Sequence, residues 1–478
     1  MATVSQRLEA TIDEAPSWGI RPVPDEHRRL SGVDLAVLWG DLSVGLLVLV
    51  TGALLVPALG LPEALLAIVV GSAIGCVPLA LMGLAGQREG VPSMVLFRPL
   101  LGTRGSYVPT VLNLLQLVGW TAVEFWAMGR VANAVSIELL GLDAYWVWLL
   151  VFAAICTGLA LGGPVLVVRR WLERFGVWVL GAAGLWITVQ ILTSGKLGEI
   201  WAAPGIGGWP TFWTGVDLVI VMPISWLPLV ADYNRFAGRK ARGVAGTYGG
   251  YFAGNVWFYA LGAMLVLVAA ASPDVVGIGG SVIALVGGAA VLLVLLAGET
   301  DEAFANIYSS AVSAQNLLPR VSQRVFIMAT SAVGFVLALL LTMDAYEVFL
   351  FLIGSVFVPL FGVFAASYFI WKVRDYSERD LFERDGASWV RGGVRWLAMV
   401  PWIAGFVVYQ WSTPTGPDSW KAGVETVLHG WLKLPFPLLD GVIGASIPGF
   451  LVAFLLGVVL LKPRRPVVRQ EVPTAGER

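Results

Sequence analysis

Residues 35–52 read LAVLWGDLSVGLLVLVTG. The run is apolar enough to cross a membrane, yet Gly40, Asp41, Ser43 and Gly45 interrupt it. Glycine raises the cost of a helix, and Asp and Ser compete for its backbone hydrogen bonds. A second interrupted run, DLVIVMPISWLPLVADYNRF, occupies residues 217–236 and carries Pro223 and Pro228 near its middle. Each proline removes one backbone bond and clashes with the preceding turn. One such break is an ordinary kink, since Gly and Pro are frequent in membrane helices. Two breaks, in the first and sixth apolar runs, instead suggest two five-helix repeats of opposite orientation. Substrate and ion sites of such transporters form where the broken helices meet, on unwound carbonyls and half-helix N-termini.

The rest of the chain supports a membrane setting. Of 478 residues, 57% are hydrophobic and 13% charged, against about 25% charged in a soluble domain. The surface itself must be apolar, so lipid is the solvent and a partner. Twelve apolar segments follow, at 33–56, 63–84, 107–135, 145–164, 175–194, 213–232, 246–272, 281–312, 325–342, 345–371, 394–412 and 440–461. The expected fold is an all-α membrane protein with twelve transmembrane helices. Of the 31 Lys and Arg residues, only Lys196, Lys421 and Lys433 fall in loops after odd-numbered spans, and Arg130 lies within the third. All others lie on the opposite side, which places both termini in the cytoplasm of a cell (inner) membrane protein. The organisation expected is a mobile N-terminal tail to residue 32, five helices to 194, five more over 195–371, a cytoplasmic loop at 372–393, two additional helices over 394–461 and a mobile tail from 462. Segment 91–102 is too short to span and lies at the interface or packs on the bundle.

Charged groups inside spans are costly and face cavities or partners. The candidates are Asp41, Glu124, Glu299, Asp301 and Glu302. They have almost no basic counterpart, so protons or a bound cation must compensate them. In AGETDEAFANIYSSAVSAQ, residues 297–315, Glu299, Glu302 and Asn306 share one helix face. Ala297, Thr300 and Asp301 form a second. One face suits substrate, the other a hard cation such as Na⁺; the bland alternative is the polar end of a long helix. In NLLQLVGWTAVEFWAMGR, residues 113–130, Gln116, Trp120 and Glu124 make one stripe. An indole face beside an amide and a carboxylate fits a flat, nitrogen-rich ring. The alternative is that Trp120 packs and Gln116 bonds a neighbouring helix. Ser225 and Trp226 sit between the two prolines, where Ser225 can instead bond back to its own helix. Asp232 and Arg235 are expected to pair structurally.

These stretches carry a resemblance. NLLQLVGWTAVE, PISWLPLVADYNRFA, GETDEAFANIYSSAVS and, at 351–369, FLIGSVFVPLFGVFAASYF resemble the nucleobase-cation-symport-1 family, home of cytosine permease and the hydantoin transporter. Within that family the stretches most resemble the branch of hydroxymethylpyrimidine permeases. The resemblance implies the leucine-transporter-type 5+5 inverted repeat plus two C-terminal helices, with a four-helix bundle rocking against a scaffold. It implies ring stacking on Trp120, polar contacts from Glu124, Ser225, Glu302 and Asn306, and a sodium site on Ala297, Thr300 and Asp301. The span-one carbonyls of that site are either Gly40 and Ser43 or Asp41 and Val44. Asp301 and Glu302 are departures, since the family more often has a hydroxyl and an amide there. They leave Na⁺ and H⁺ both open as coupling ion.

Other classes fit poorly. Net charge is −1, which gives no basis for nucleic-acid binding. An embedded enzyme needs a nucleophile–base pair or metal ligands, but His27 and His429 lie outside the spans and Cys76 and Cys156 are isolated. No phosphate-binding Gly-rich loop with Lys is present, and the paired breaks favour alternating access over a channel. No cofactor is expected beyond the coupling ion. The expected function is cation symport of a planar pyrimidine such as hydroxymethylpyrimidine or cytosine. The alternative is a purine, an allantoin- or hydantoin-like solute, or an amino acid in the same fold. The sequence gives no oligomeric state.

Overall fold

A computed structural model describes residues 19–162, 176–341, 346–373, 376–438 and 442–462. The expected tails at 1–18 and 463–478 lie outside the described residues. Each of the twelve apolar segments contains helix among its described residues. The helices are α1 (Gly32–Asp41), α2 (Leu46–Ala53), α3 (Leu61–Glu89), α4 (Ser93–Leu96), α5 (Arg98–Leu101), α6 (Tyr107–Leu140) and α7 (Tyr145–Gly162). They continue with α8 (Val177–Leu192), α9 (Leu197–Ala202), α10 (Phe212–Trp226), α11 (Val230–Asn234), α12 (Gly243–Ala269) and α13 (Val275–Ile283). The last are α14 (Gly288–Leu317), α15 (Gln323–Ala338), α16 (Tyr346–Ala365), α17 (Glu378–Phe382), α18 (Trp396–Ser412), α19 (Asp418–Glu425) and α20 (Ser446–Leu460). Among the described residues the sole β feature is an isolated parallel bridge between Leu30 and Ala237.

Five of these helices are long and apolar enough to cross a membrane by length and composition, or six if the bent pair α1–α2 is one span. Four shorter apolar helices, α8, α10, α15 and α20, accompany them. The first segment breaks at Leu42–Gly45, and its two halves meet at 60°. The sixth breaks at 227–229, around Pro228; Pro223 is accommodated inside α10. The eighth segment does not form one helix over 281–312. Gly287, at φ 70°, separates α13 from α14, because a left-handed residue ends the helical hydrogen-bond pattern. Segment 91–102 folds as α4 and α5 and is buried, so it packs in the bundle.

Two glycine rows let the broken helices approach their neighbours. On α12, a Cβ at Gly246, Gly250 or Gly262 would collide with the carbonyl of Gly32, Ala36 or Leu49, so α12 lies against both halves of the first segment. On α3, a Cβ at Gly71 or Gly75 would meet Val216 O at 2.8 Å or Ile220 O at 2.9 Å of α10. Small residues at this spacing bring helix backbones together where lipid offers no hydrophobic drive.

The N-terminal tail is not loose as far as residue 32. Ile20, Val23 and Leu30 are buried, and Arg28 Nε donates to Val23 O at 2.8 Å. The strap joins the end of α3 through Val23 N–Gly90 O (2.9 Å) and the end of α11 through Leu30 N–Phe236 O (2.9 Å). Beside it, buried Arg98 donates to Asn316 Oδ1 and Leu381 O, each at 2.9 Å, and burial pushes its guanidinium down to about 10.

Candidate functional site

The first break opens directly onto α14. A Cβ on Gly45 would lie 2.6 Å from Glu299 Oε1 and would also collide with Glu302 Oε1. Only glycine leaves room for both carboxylates. The backbone N–H of Leu46, first residue of α2, donates to Glu299 Oε1. A half-helix N-terminus carries unsatisfied N–H groups and partial positive charge. No side chain at its own N-cap meets that need; a carboxylate from another helix does.

Glu299 does not stand alone. One carboxylate oxygen from each of Glu124, Glu299 and Glu302 lies within 4.8 Å of the others, and all three residues are buried. Asp41 is buried within electrostatic reach of Glu302. Among the described residues no Lys or Arg forms an ion pair with any of them. Two full negative charges 4.8 Å apart repel by roughly 3 kcal/mol at an effective dielectric of about 20. The cluster therefore requires positive charge, as shared protons, a cation, or donors on a ligand.

An aromatic wall adjoins the carboxylates. The Trp120 ring packs edge-on against Tyr346 and Phe349, with centroids at 6.2 and 5.3 Å. The Tyr346 hydroxyl is 2.9 Å from Thr51 Oγ1, which ties α16 to α2. Trp226 lies edge-on to Trp39 of α1 at 6.1 Å, and Trp39 Nε1 donates to Asn234 Oδ1 at 2.8 Å.

The site residues expected from sequence fall into three groups. Glu124 and Glu302 converge, with Trp120 one turn from Glu124, and Asn306 is buried one turn after Glu302. Gln116 and Ser225 take structural bonds. Gln116 Nε2 donates to Ser225 O at 2.6 Å, and Ser225 Oγ bonds back to Met222 O at 2.7 Å. With Asn113 Nδ2–Pro228 O (3.4 Å), Gln116 satisfies carbonyls freed by the sixth-segment break. Gln116 nonetheless keeps its Oε1 buried without a partner.

The expected cation ligands lie at the first break and on α14. Ser43 Oγ donates to Gly40 O at 2.7 Å and Thr300 Oγ1 to Ala297 O at 2.6 Å. Val44 and Asp301 are buried, and Asp301 is within electrostatic reach of Cys156 on α7. Both span-one registers remain, because Asp41 O also accepts a backbone bond, from Val44 N at 2.9 Å.

One expected pair is corrected. Arg235 does not bridge the Asp232 carboxylate. Its Nε reaches Asp232 O (3.2 Å) and its Nη1 Gly19 O (2.7 Å), while Asp232 Oδ1 accepts from Ser93 N at 2.9 Å. The tight turn after α11 aims the guanidinium at carbonyls. The sequence reading also missed Thr51, Tyr346, Phe349, Asn113 and Trp39. A polar group inside an apolar run was the local signal, and it marked Thr51, Tyr346 and Asn113 but neither Phe349 nor Trp39.

Comparison with known proteins identifies the family. The profile of a family described as permease for cytosine/purines, uracil, thiamine, allantoin matches residues 22–430. The hydantoin permease of Microbacterium maritypicum is 23% identical over 88% of this chain and 90% of its own. The allantoin permease of Bacillus subtilis (strain 168) is 27% identical over 81% and 85%. The structure of Mhp1, a nucleobase-cation-symport-1 family transporter in a closed conformation with bromovinylhydantoin bound, superposes with a TM-score of 0.78 at 20% identity, covering 93% of this chain and 94% of that one. The chain is thus a multi-pass membrane permease rather than an enzyme, and it belongs to the nucleobase-cation-symport-1 family.

Proposed function

We propose that this protein carries a small planar nitrogen heterocycle across the cell (inner) membrane by cation symport and alternating access. The solute is a pyrimidine of the hydroxymethylpyrimidine or cytosine kind. The proposal includes twelve spans in a 5+5 inverted repeat plus two helices, with both termini cytoplasmic. The observation that carries it is the buried carboxylate trio lying against the N-terminus of a half-helix, with Trp120 one turn away. In this reading Trp120 and Trp226 offer ring faces, and Glu124, Glu302, Asn306, Gln116 and Ser225 line the polar edge. The coupling ion, Na⁺ or H⁺, is cargo. Oxygen donors at the first break (Gly40 and Ser43, or Asp41 and Val44) and on Ala297, Thr300 and Asp301 suit a hard cation. The carboxylates suit protons equally.

The relatives give a second reading weight, since a hydantoin permease and an allantoin permease match most of the chain. Uptake of labelled pyrimidines, purines, hydantoin and allantoin into proteoliposomes, under imposed Na⁺ or H⁺ gradients, separates the two. Trp120→Ala is expected to abolish binding with the protein still monodisperse, and wild-type affinity would remove the stacking role. Asp301→Asn is expected to weaken the dependence on the cation gradient; uptake unchanged against both sodium and pH would displace the ion site from α14.

A further inference from the structure

The site is short of donors. Asp41 Oδ1, Gln116 Oε1, Glu124 Oε2, Glu299 Oε2 and Glu302 Oε1 are all buried without a hydrogen-bond partner. They come from three elements: the end of α1, α6 and α14. Asp41, Glu124 and Glu302 are 4%, 1% and 6% exposed and Gln116 is 3% exposed. Against these acceptors the same region offers few unpartnered donors, Trp120 Nε1 and the Tyr251 hydroxyl, which lies within electrostatic reach of Glu302. Several nearby donors are spent: Leu46 N–H on Glu299, the Tyr346 hydroxyl on Thr51, the Thr51 hydroxyl on Leu47 O, Ser225 on Met222, Gln116 Nε2 on Ser225 O. Buried polar atoms in native proteins find partners, and an ionised carboxylate only accepts.

We propose that the solute is a ring whose polar edge is made of N–H donors and which carries positive charge, an amino- or amidine-type heterocycle, rather than a dione. The inference rests on the heterocycle reading above and narrows it. A dione ring such as uracil or hydantoin is neutral and alternates its two N–H donors with carbonyl lone pairs. Carbonyls turned toward the carboxylates are repelled, and fewer of the acceptors of the protein are paired. A ring bearing two amino groups and a protonated nitrogen directs several N–H groups at them and supplies the charge that the cluster lacks. Sites built to bond particular polar groups reject analogues without them far more strongly than apolar pockets reject a change of size. Asp41 sharpens the argument, because it stands outside the trio, within electrostatic reach of Glu302, and also presents an acceptor.

The test uses the purified full chain and four probes: 2,4-diaminopyrimidine, 4-aminopyrimidine, uracil and hydantoin. Affinity is read by calorimetric titration at one pH and with or without sodium. The diamino ring is expected to bind at least about ten-fold more tightly than uracil or hydantoin. Glu302→Gln and Glu124→Gln, which replace an acceptor by a group with both donor and acceptor, are expected to shrink that ratio. Trp120→Ala is expected to abolish the binding of all four rings together. Uracil or hydantoin binding as well as the diamino ring overturns the inference while leaving the heterocycle reading standing. A ratio unchanged in both glutamine variants, each eluting as a folded monodisperse protein, also overturns it. Failure of every ring to bind wild-type protein defeats the heterocycle reading, and the inference with it.

Discussion

Glu299 holds two environments together. Its Oε1 accepts the amide of Leu46 at the start of α2, while the rest of the carboxyl sits with Glu124 and Glu302. A buried N–H left without an acceptor costs about 1–3 kcal/mol. Glu299→Ala is therefore expected to lower the thermal unfolding midpoint in detergent. Glu299→Gln keeps an acceptor for Leu46 and removes a charge from a crowded cluster, so it is expected to stay near or above wild type. Equal loss in both variants would mean that charge, not the Leu46 bond, is what Glu299 supplies. Sequence spacing placed Glu299 on one face with Glu302, but the α2 amide it holds lies about 250 residues earlier in the chain. No periodicity within α14 could indicate that bond.

At the scale of elements, each break is stabilised by a neighbour. The amides of Asn113 and Gln116 on α6 bond carbonyls at the end of α10 and in the break that follows it. The Ser93 hydroxyl accepts the Ala231 amide at 3.0 Å near the start of α11, while Asp232 accepts the amide of Ser93. The same device seats the last helix. Asp217 of α10 accepts from Ala445 N at 2.5 Å and Ser446 N at 3.2 Å, at the N-terminus of α20. Loss of a helix N-cap costs roughly 1–2 kcal/mol. Asp217→Ala is expected to lower the melting midpoint followed by circular dichroism, with Asp217→Asn intermediate. An unchanged midpoint in Asp217→Ala would show that packing alone seats α20. The breaks themselves were legible, because Gly, Asp and Pro carry local backbone costs. The groups that answer them were not, because they lie on other helices.

Across the whole molecule, the strap from Gly19 to Leu30 joins the ends of α3, α11 and α14. Arg235 is central to that closure. It is fully buried, bonds Gly19 O, lies 3.3 Å from the Tyr308 hydroxyl and covers the Phe236 ring at 4.9 Å. At the rim, Asp25 pairs with Arg239 at 2.8 Å, and that guanidinium holds the exposed Asp25 carboxyl below its usual range. Arg235→Ala is expected to free the strap. Trypsin should then cut after Arg21, Arg28 and Arg29 several-fold faster than in wild type, with the helical signal unchanged. Cleavage at the wild-type rate would assign the hold on the strap to Arg28 and the apolar anchors Ile20 and Val23.

By itself the sequence determined a lipid-embedded helical chain, the places where two helices break, and the side chains of unusual cost inside it. Those properties follow from composition and from backbone energetics within a few residues. Only the tertiary structure decided that Glu124 of α6 meets Glu299 and Glu302 of α14, that Gly45 makes space for them, and that Gln116 is engaged by Ser225. The reason is that helix rotation and depth are set by packing against neighbouring helices, the glycine rows of α3 and α12 among them, and no single segment encodes its partner's register.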